Sequence, residues 1–320
     1  MRKSPSSTPE IEWVCFEDDH CYAPDYDFWH HFAALPKTNC TYLVHELRIT
    51  RSLMTNKDIA NCVTALHRNA PVITCLRIQS PMLFDADLIR LTELLSLTAP
   101  RHLHAIKIID ARITHVSIPS LMRSIKACSS VQRTRFHRLE LSDCTLGDTG
   151  IRALMQSMVH FQCQINELVL RNCGVASSVY EIFATVALVG HSTELLDISY
   201  NPLDDYALAR AMPFMRTFPA SLRVLNLRGC ALHELTFGMV CMTSSLLCNT
   251  QLRVLDMRYV RLHRSHLYQL FSELRRNNTL TSLRLDDRFD DDINELIKKD
   301  RTISDRLILR VPCNASITRI

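Results

Sequence analysis

Glycine is scarce in this chain, with six in 320 residues. Tight hairpins need glycine at the positive-φ positions of their turns, so the scarcity points to connections made by helices and longer loops. No run of 18 or more apolar residues occurs, which excludes a membrane-spanning helix. Charge of one sign is not in excess: 37 Lys and Arg face 33 Asp and Glu, a net charge of +4, too little to argue for nucleic acid. The first residues, Met1-Arg2-Lys3-Ser4-Pro5, run into Glu10, Glu12 and Glu17 without an apolar stretch, so they do not read as a secretory leader. The expectation is an intracellular, cytoplasmic chain.

Catalytic signatures are missing as well. There is no Gly-rich phosphate loop, and no GxSxG, HExxH or CxxC. His263 and His266 have i, i+3 spacing at a helix start but no third ligand nearby, so they read as a surface pair. His30-His31 lies among aromatics and reads as packing. The expectation is no enzyme, no catalytic residues, no cofactor and no metal.

Cysteine, by contrast, is plentiful, at 13. Cys75, Cys144, Cys173 and Cys230 lie at repeat positions, and Cys62, Cys128, Cys241 and Cys248 lie in helical stretches. That spacing follows the repeat and not a disulfide framework. They read as reduced, buried thiols, inert because burial raises their pKa. Glycosylation triplets at Asn39, Asn277 and Asn314 read as chance matches without a leader.

One unit dominates the sequence: apolar, two variable, apolar, one variable, apolar, two variable, Cys or Asn, one variable, apolar. It is clear at Phe136, Leu139, Leu141, Cys144, Leu146 and at Ile165, Leu168, Leu170, Cys173, Val175. It returns at Leu196, Ile198, Asn201, Leu203 and at Leu222, Leu225, Leu227, Cys230, Leu232. Looser copies start at 44, 73, 103, 252 and 280, so the intervals along the array are 29, 30, 33, 29, 28, 29, 30 and 28 residues. The apolar-x-apolar core has a period of two and predicts a short strand with one buried face. Helical spacing follows at Leu88, Leu91, Leu95, at Ile151, Leu154, Met155, Met158, and more loosely at Ile59, Val63, Leu66. Asn56, Asp85, Asp148, Asp204 and Ser265 are the expected helix starts.

Each unit is thus strand, turn, helix and return, and stacking supplies the core that no unit has alone. Strands ~4.8 Å apart against helices ~8–10 Å apart force the stack to curve. The period, the helical return and the series Cys144, Cys173, Asn201, Cys230 resemble the ribonuclease-inhibitor-type leucine-rich repeat (LRR) proteins. The resemblance covers residues 42–290. It implies an α/β solenoid, a horseshoe of about nine repeats with parallel strands concave and helices convex. Its members include enzyme inhibitors, GTPase-activating proteins, innate-immune sensors, actin-pointed-end proteins and axonemal subunits. The expected function is a non-catalytic protein-protein interaction scaffold or regulatory subunit of an intracellular complex, cytoskeletal or axonemal among the choices. A GTPase-activating protein and an inhibitor wrapping its target are the alternatives.

Residues 1–41 are read as a mobile N-terminus plus an aromatic cap. Residues 11–42 hold Trp13, Phe16, Tyr22, Tyr26, Phe28, Trp29, Phe32 and Tyr42 among acidic residues, and a docking segment is the other reading. Residues 291–320 are read as a C-terminal cap, with Leu307 and Leu309 inside it. The long third interval places a polar insert, near Ser129 to Arg135, in a surface loop.

The open strand face carries the candidate site. Its central row reads Arg48, Arg77, Lys107, Glu140, Val169, Asp197, Asn226, Asp256, Arg284. Two residues on, Arg171, Arg228 and Arg258 recur, with Tyr200 and Tyr259 beside them. Arg and Tyr give large contact area and directed hydrogen bonds. The expected contacts with a protein partner are therefore Arg171, Tyr200, Arg228, Arg258, Tyr259 and the basic row Arg48, Arg77, Lys107, with Asp197 and Asp256 partly neutralising the Arg row. Cys144, Cys173, Asn201 and Cys230 form a structural ladder. Neither nucleic acid nor membrane is expected as a partner, and the chain is expected to be monomeric outside its complex.

Overall fold

The computed structural model describes residues 13–17, 46–50, 74–100, 102–132, 135–189, 191–230, 237–260, 262–286 and 293–295, the first two segments as backbone alone. Ten parallel strands form one open sheet in sequence order. They are β1 (Trp13–Glu17), β2 (Glu46–Thr50), β3 (Cys75–Gln79), β4 (Ala105–Ile109), β5 (Phe136–Ser142), β6 (Ile165–Arg171), β7 (Leu195–Asp197), β8 (Val224–Asn226), β9 (Val254–Asp256) and β10 (Ser282–Arg284). Among the described residues the returns carry α1 (Asp85–Thr98), α2 (Ile118–Gln132), α3 (Gly147–Phe161), α4 (Val179–Val189), α5 (Asp205–Ala211), α6 (Phe237–Cys248) and α7 (Arg264–Leu274). A 3-10 turn, Met212–Thr217, extends α5. This is a solenoid with strands concave and helices convex.

The core lies between the two layers. Leu139 and Leu141, Leu168 and Leu170, Leu225 and Leu227 point inward from their strands and are fully buried. Leu88, Leu91, Leu95 and Ile151, Leu154, Met155, Met158 meet them from the helices, as the 3.6-residue spacing predicts. Register steps straight across the sheet, Leu139 beside Leu168 and Leu168 beside Leu196, so each apolar pair stacks on its equivalent.

Helix starts follow two rules. Asp204 caps its own helix, accepting from the Ala207 N–H at 2.7 Å. Asp85, Asp148 and Asp205 instead cap the next repeat. Asp85 accepts from Thr114 and Ser117 ahead of α2, Asp148 from the N–H groups of Ala176, Ser177 and Ser178 ahead of α4, and Asp205 from the Gly238 N–H in α6. Free N–H groups at a helix start are satisfied this way, and the convex layer is tied repeat to repeat. Burial pushes the Asp148 carboxyl up, but donation from Ser178, Ser177 and the backbone outweighs it and holds it well below 3.8.

Three expectations change. The insert of the third interval is not a simple loop: helix α2 runs through Ser129 to Gln132, with Ser129 bonding back to the Ile125 carbonyl. Cys248 is exposed and Cys241 half-buried, so neither is the buried thiol expected. Strand β1 pairs in parallel with β2, adding a rung before the first repeat. Asn56, Ile59, Cys62, Val63, Leu66, most of 1–41, and 296–320 with Leu307 and Leu309 lie outside the described residues.

Candidate functional site

The parallel strands all end at one edge of the sheet, and the chain leaves β4 to β9 by the same turn. At that turn Asp110, Asp143, Asn172, Tyr200, Gly229 and Tyr259 share a left-handed conformation, with φ of 54°, 56°, 48°, 60°, 64° and 58°. Asp, Asn and Gly adopt it readily, whereas a tyrosine there costs ~1–2 kcal/mol. The strained pair is also exposed, Tyr200 at 41% and Tyr259 at 54%. Gly229 sits between them in the ladder. A Cβ there would lie 2.5 Å from the Tyr200 ring, so glycine lets that ring lie against the backbone as well as allowing the positive φ.

The next residue inward is the ladder. Cys144, Cys173 and Cys230 reach back to the carbonyls of Ile108, Leu141 and Ile198 in the preceding strand. Asn201 does more. Its Oδ1 accepts from the N–H groups of Cys173 and Val175, and its Nδ2 donates to the carbonyls of Leu170, Ile198 and Ser199. Burial pushes the Cys128 and Cys230 thiols up to about 12 and Cys163 to about 11. For Cys173 the hydrogen bond with Cys144 and burial act together. Such thiols are poor nucleophiles.

The central row is paired within the chain. Arg138 bonds Glu140 at 2.9 Å and Glu167 at 2.6 Å. Asp197 takes Arg171 at 3.2 Å and the Asn226 amide at 3.0 Å. Asp256 takes Arg258 at 2.6 Å, with Arg284 at 3.7 Å. Asp197, Asn226 and Asp256 also accept from the backbone N–H two residues on. Concave curvature crowds these side chains, and Asp197, Asp256, Arg258 and Arg284 are all buried. Arg258, expected among the exposed contacts, is therefore a scaffold residue that neutralises Asp256. Arg138 was missed by the sequence reading. The signal for it is the register that sets it opposite Glu167.

Arg228 differs from its neighbours. Its guanidinium carbon lies 4.7 Å from the Tyr259 ring centroid and 5.8 Å from that of Tyr200. Among the described residues no carboxylate pairs with it, and its Nε is buried without a hydrogen-bond partner. Structure thus brings Tyr200, Arg228 and Tyr259 together and leaves Arg171 beside Asp197. The register sets Arg48 beside Arg77 and Arg77 beside Lys107, on β2 to β4 and so four to six strands from β8, with the Arg48 side chain outside the described residues. The His263–His266 pair forms a helix cap: the His263 N–H donates to His266 Nδ1, and His263 Nδ1 contacts Ser265. No cluster of three metal-ligating residues occurs among the described residues. Asn277, the one described glycosylation triplet, is buried with its amide donating to the carbonyls of Leu246 and Asn249.

Comparison with known proteins agrees with this geometry. The Leucine Rich repeat family matches residues 136–155. The human "NACHT, LRR and PYD domains-containing protein 14" is 32% identical over 127 residues, 40% of this chain and 11% of that protein. Pig ribonuclease inhibitor is 27% identical over 164 residues, 51% of this chain and 34% of the inhibitor. A solved Bacteroides fragilis protein superposes with a TM-score of 0.46 at 10% identity, over 89% of this chain and 78% of its own. The chain spans between about a tenth and a third of the length of the two sequence relatives. By its repeat geometry and these matches, the chain is similar to the leucine-rich-repeat proteins of the ribonuclease-inhibitor type.

Proposed function

We propose that this chain is a non-catalytic protein-binding scaffold or regulatory subunit of an intracellular assembly, engaging its partner along the concave strand face and its C-terminal edge. One observation carries the reading: where Asp197 and Asp256 are paired with arginines, Arg228 pairs with no carboxylate among the described residues and stands between the exposed rings of Tyr200 and Tyr259. Buried aromatic and Arg anchors dominate binding energy at protein interfaces. The free thiols, eight among the described residues, support a reducing compartment. A second reading, an inhibitor that wraps its target, is favoured by the match to ribonuclease inhibitor over half of this chain.

The test is affinity capture with quantitative mass spectrometry, using wild type, a concave-face variant (Arg77→Glu/Lys107→Glu/Arg228→Glu) and a convex variant (Leu188→Glu/Tyr206→Glu). Leu188 and Tyr206 are exposed on helices. A partner lost only by the concave variant is the expected result. A partner lost only by the convex one moves function to the helices. Inhibition of a captured enzyme by the purified chain would select the second reading.

A further inference from the structure

We propose that Tyr200, Arg228 and Tyr259 form a receptor for an acidic side chain of a protein partner, the Asp or Glu carboxylate seated on the N–H groups of Arg228 beside the two phenol rings. This rests on the concave-face reading above and names the chemistry it selects.

The argument begins with Arg228. Two rings lie within 6 Å of its guanidinium, and its Nε is buried with no acceptor among the described residues. A half-buried guanidinium without a carboxylate gains most from one, which accepts two parallel N–H bonds in the geometry the fork presents. Its neighbours cannot supply one. Asp197 is held by Arg171 and Asn226, and Asp256 by Arg258 with Arg284 close by. Among the described residues Arg228 is thus left without a carboxylate, and its charge is available to a partner.

The tyrosines make the same point from the backbone. Equivalent turns use Asp, Asn or Gly, and only Tyr200 and Tyr259 hold a bulky side chain at positive φ. Both remain largely outside the core, so core packing does not account for the strain. Gly229, between them, leaves room for the Tyr200 ring against the backbone. Each ring adds apolar area and a hydroxyl able to donate to the carboxylate. A phosphate backbone is the weaker fit: a polyanion needs several unpaired cations along its length, and Arg171, Arg258 and Arg284 are taken up by Asp197 and Asp256.

The experiment pans a phage-displayed library of random 12-residue linear peptides against the full chain. Expected are binders enriched in Asp or Glu, whose affinity falls tenfold or more when the peptide Glu is changed to Gln, and equally with Arg228→Gln or Tyr259→Ala. The peptide substitution reads the same contact without touching the protein, so a misfolded variant cannot hide the answer. Binders without acidic residues, or indifferent to Glu→Gln, overturn the proposal, as does displacement by a 20-nucleotide single-stranded RNA that binds more tightly than any peptide. Binders insensitive to Arg228→Gln but lost with Arg77→Glu/Lys107→Glu overturn this receptor and leave the concave-face reading standing. Binders lost by no concave variant, or no binders at all, overturn both.

Discussion

The middle repeats and the later repeats are built from one unit yet use its central position differently. In β5 and β6 that position holds Glu140 and Val169, and the strands run for seven residues. In β7, β8 and β9 it holds Asp197, Asn226 and Asp256, and the strands stop there after three. The short Asp and Asn side chains take the N–H of the residue two ahead, a local bond that competes with the ladder. Val169 has no acceptor, and Glu140 is turned toward Arg138 and Ser142, so pairing there continues to Ser142 and Arg171. A row that would be surface on a flat sheet is buried in both regions, and in the later repeats its Asp and Asn side chains also hold the backbone that leaves the strand. The outward side chains there are displaced to the turn, where Tyr200, Arg228 and Tyr259 stand.

The largest effect that would break this contrast comes from Asp256. Asp256→Val leaves Arg258 and Arg284 buried with their shared carboxylate gone and should cost ~3–5 kcal/mol in chemical denaturation. Glu140→Val should cost ~1 kcal/mol, because Arg138 keeps Glu167. Equal losses would erase the distinction between the two uses of the row. Asn201→Ala comes next, at ~3 kcal/mol, since the buried N–H groups of Cys173 and Val175 lose their acceptor. A loss within error would mean that water or a shifted backbone replaces the amide.

Acid titration sharpens the picture on the convex side. Asp148 is depressed in the fold, so its contribution is fully present above 3.8 and is lost as pH falls toward its lower folded value. The stability gap between wild type and Asp148→Asn should be constant at neutral pH and close as pH drops below 3.8. A gap that widens in acid has the wrong sign for a carboxylate capping the next repeat. The smallest effect is the most pointed. Tyr259→Asn should raise stability by ~0.5–1 kcal/mol, because Asn adopts a left-handed backbone more readily, while partner binding weakens.

The buried side of this architecture was legible in the sequence and the exposed side only partly so. Leu139, Leu141 and Leu154 announce themselves by period alone, because strand and helix spacing decide which side chains face the core. The Cys and Asn ladder was legible for the same reason. That Arg258 is buried was not, since its exposure depends on side chains from strands roughly 4.8 Å away that share a concave surface. The caps of Asp85 and Asp148 act on the following repeat about 30 residues on, beyond any local capping pattern. Left-handed tyrosines were hidden because tyrosine, unlike Asn or Gly, carries no preference that would mark the turn.

The central claim is that Arg228 serves the partner and Arg258 serves the fold. Its most direct test measures melting temperature and affinity for a captured partner on Arg228→Glu and Arg258→Glu side by side. The account predicts that Arg228→Glu melts within about 2 °C of wild type and binds at least about tenfold more weakly, whereas Arg258→Glu melts markedly lower. An Arg228→Glu protein that unfolds early, or binds its partner as wild type does, would contradict it.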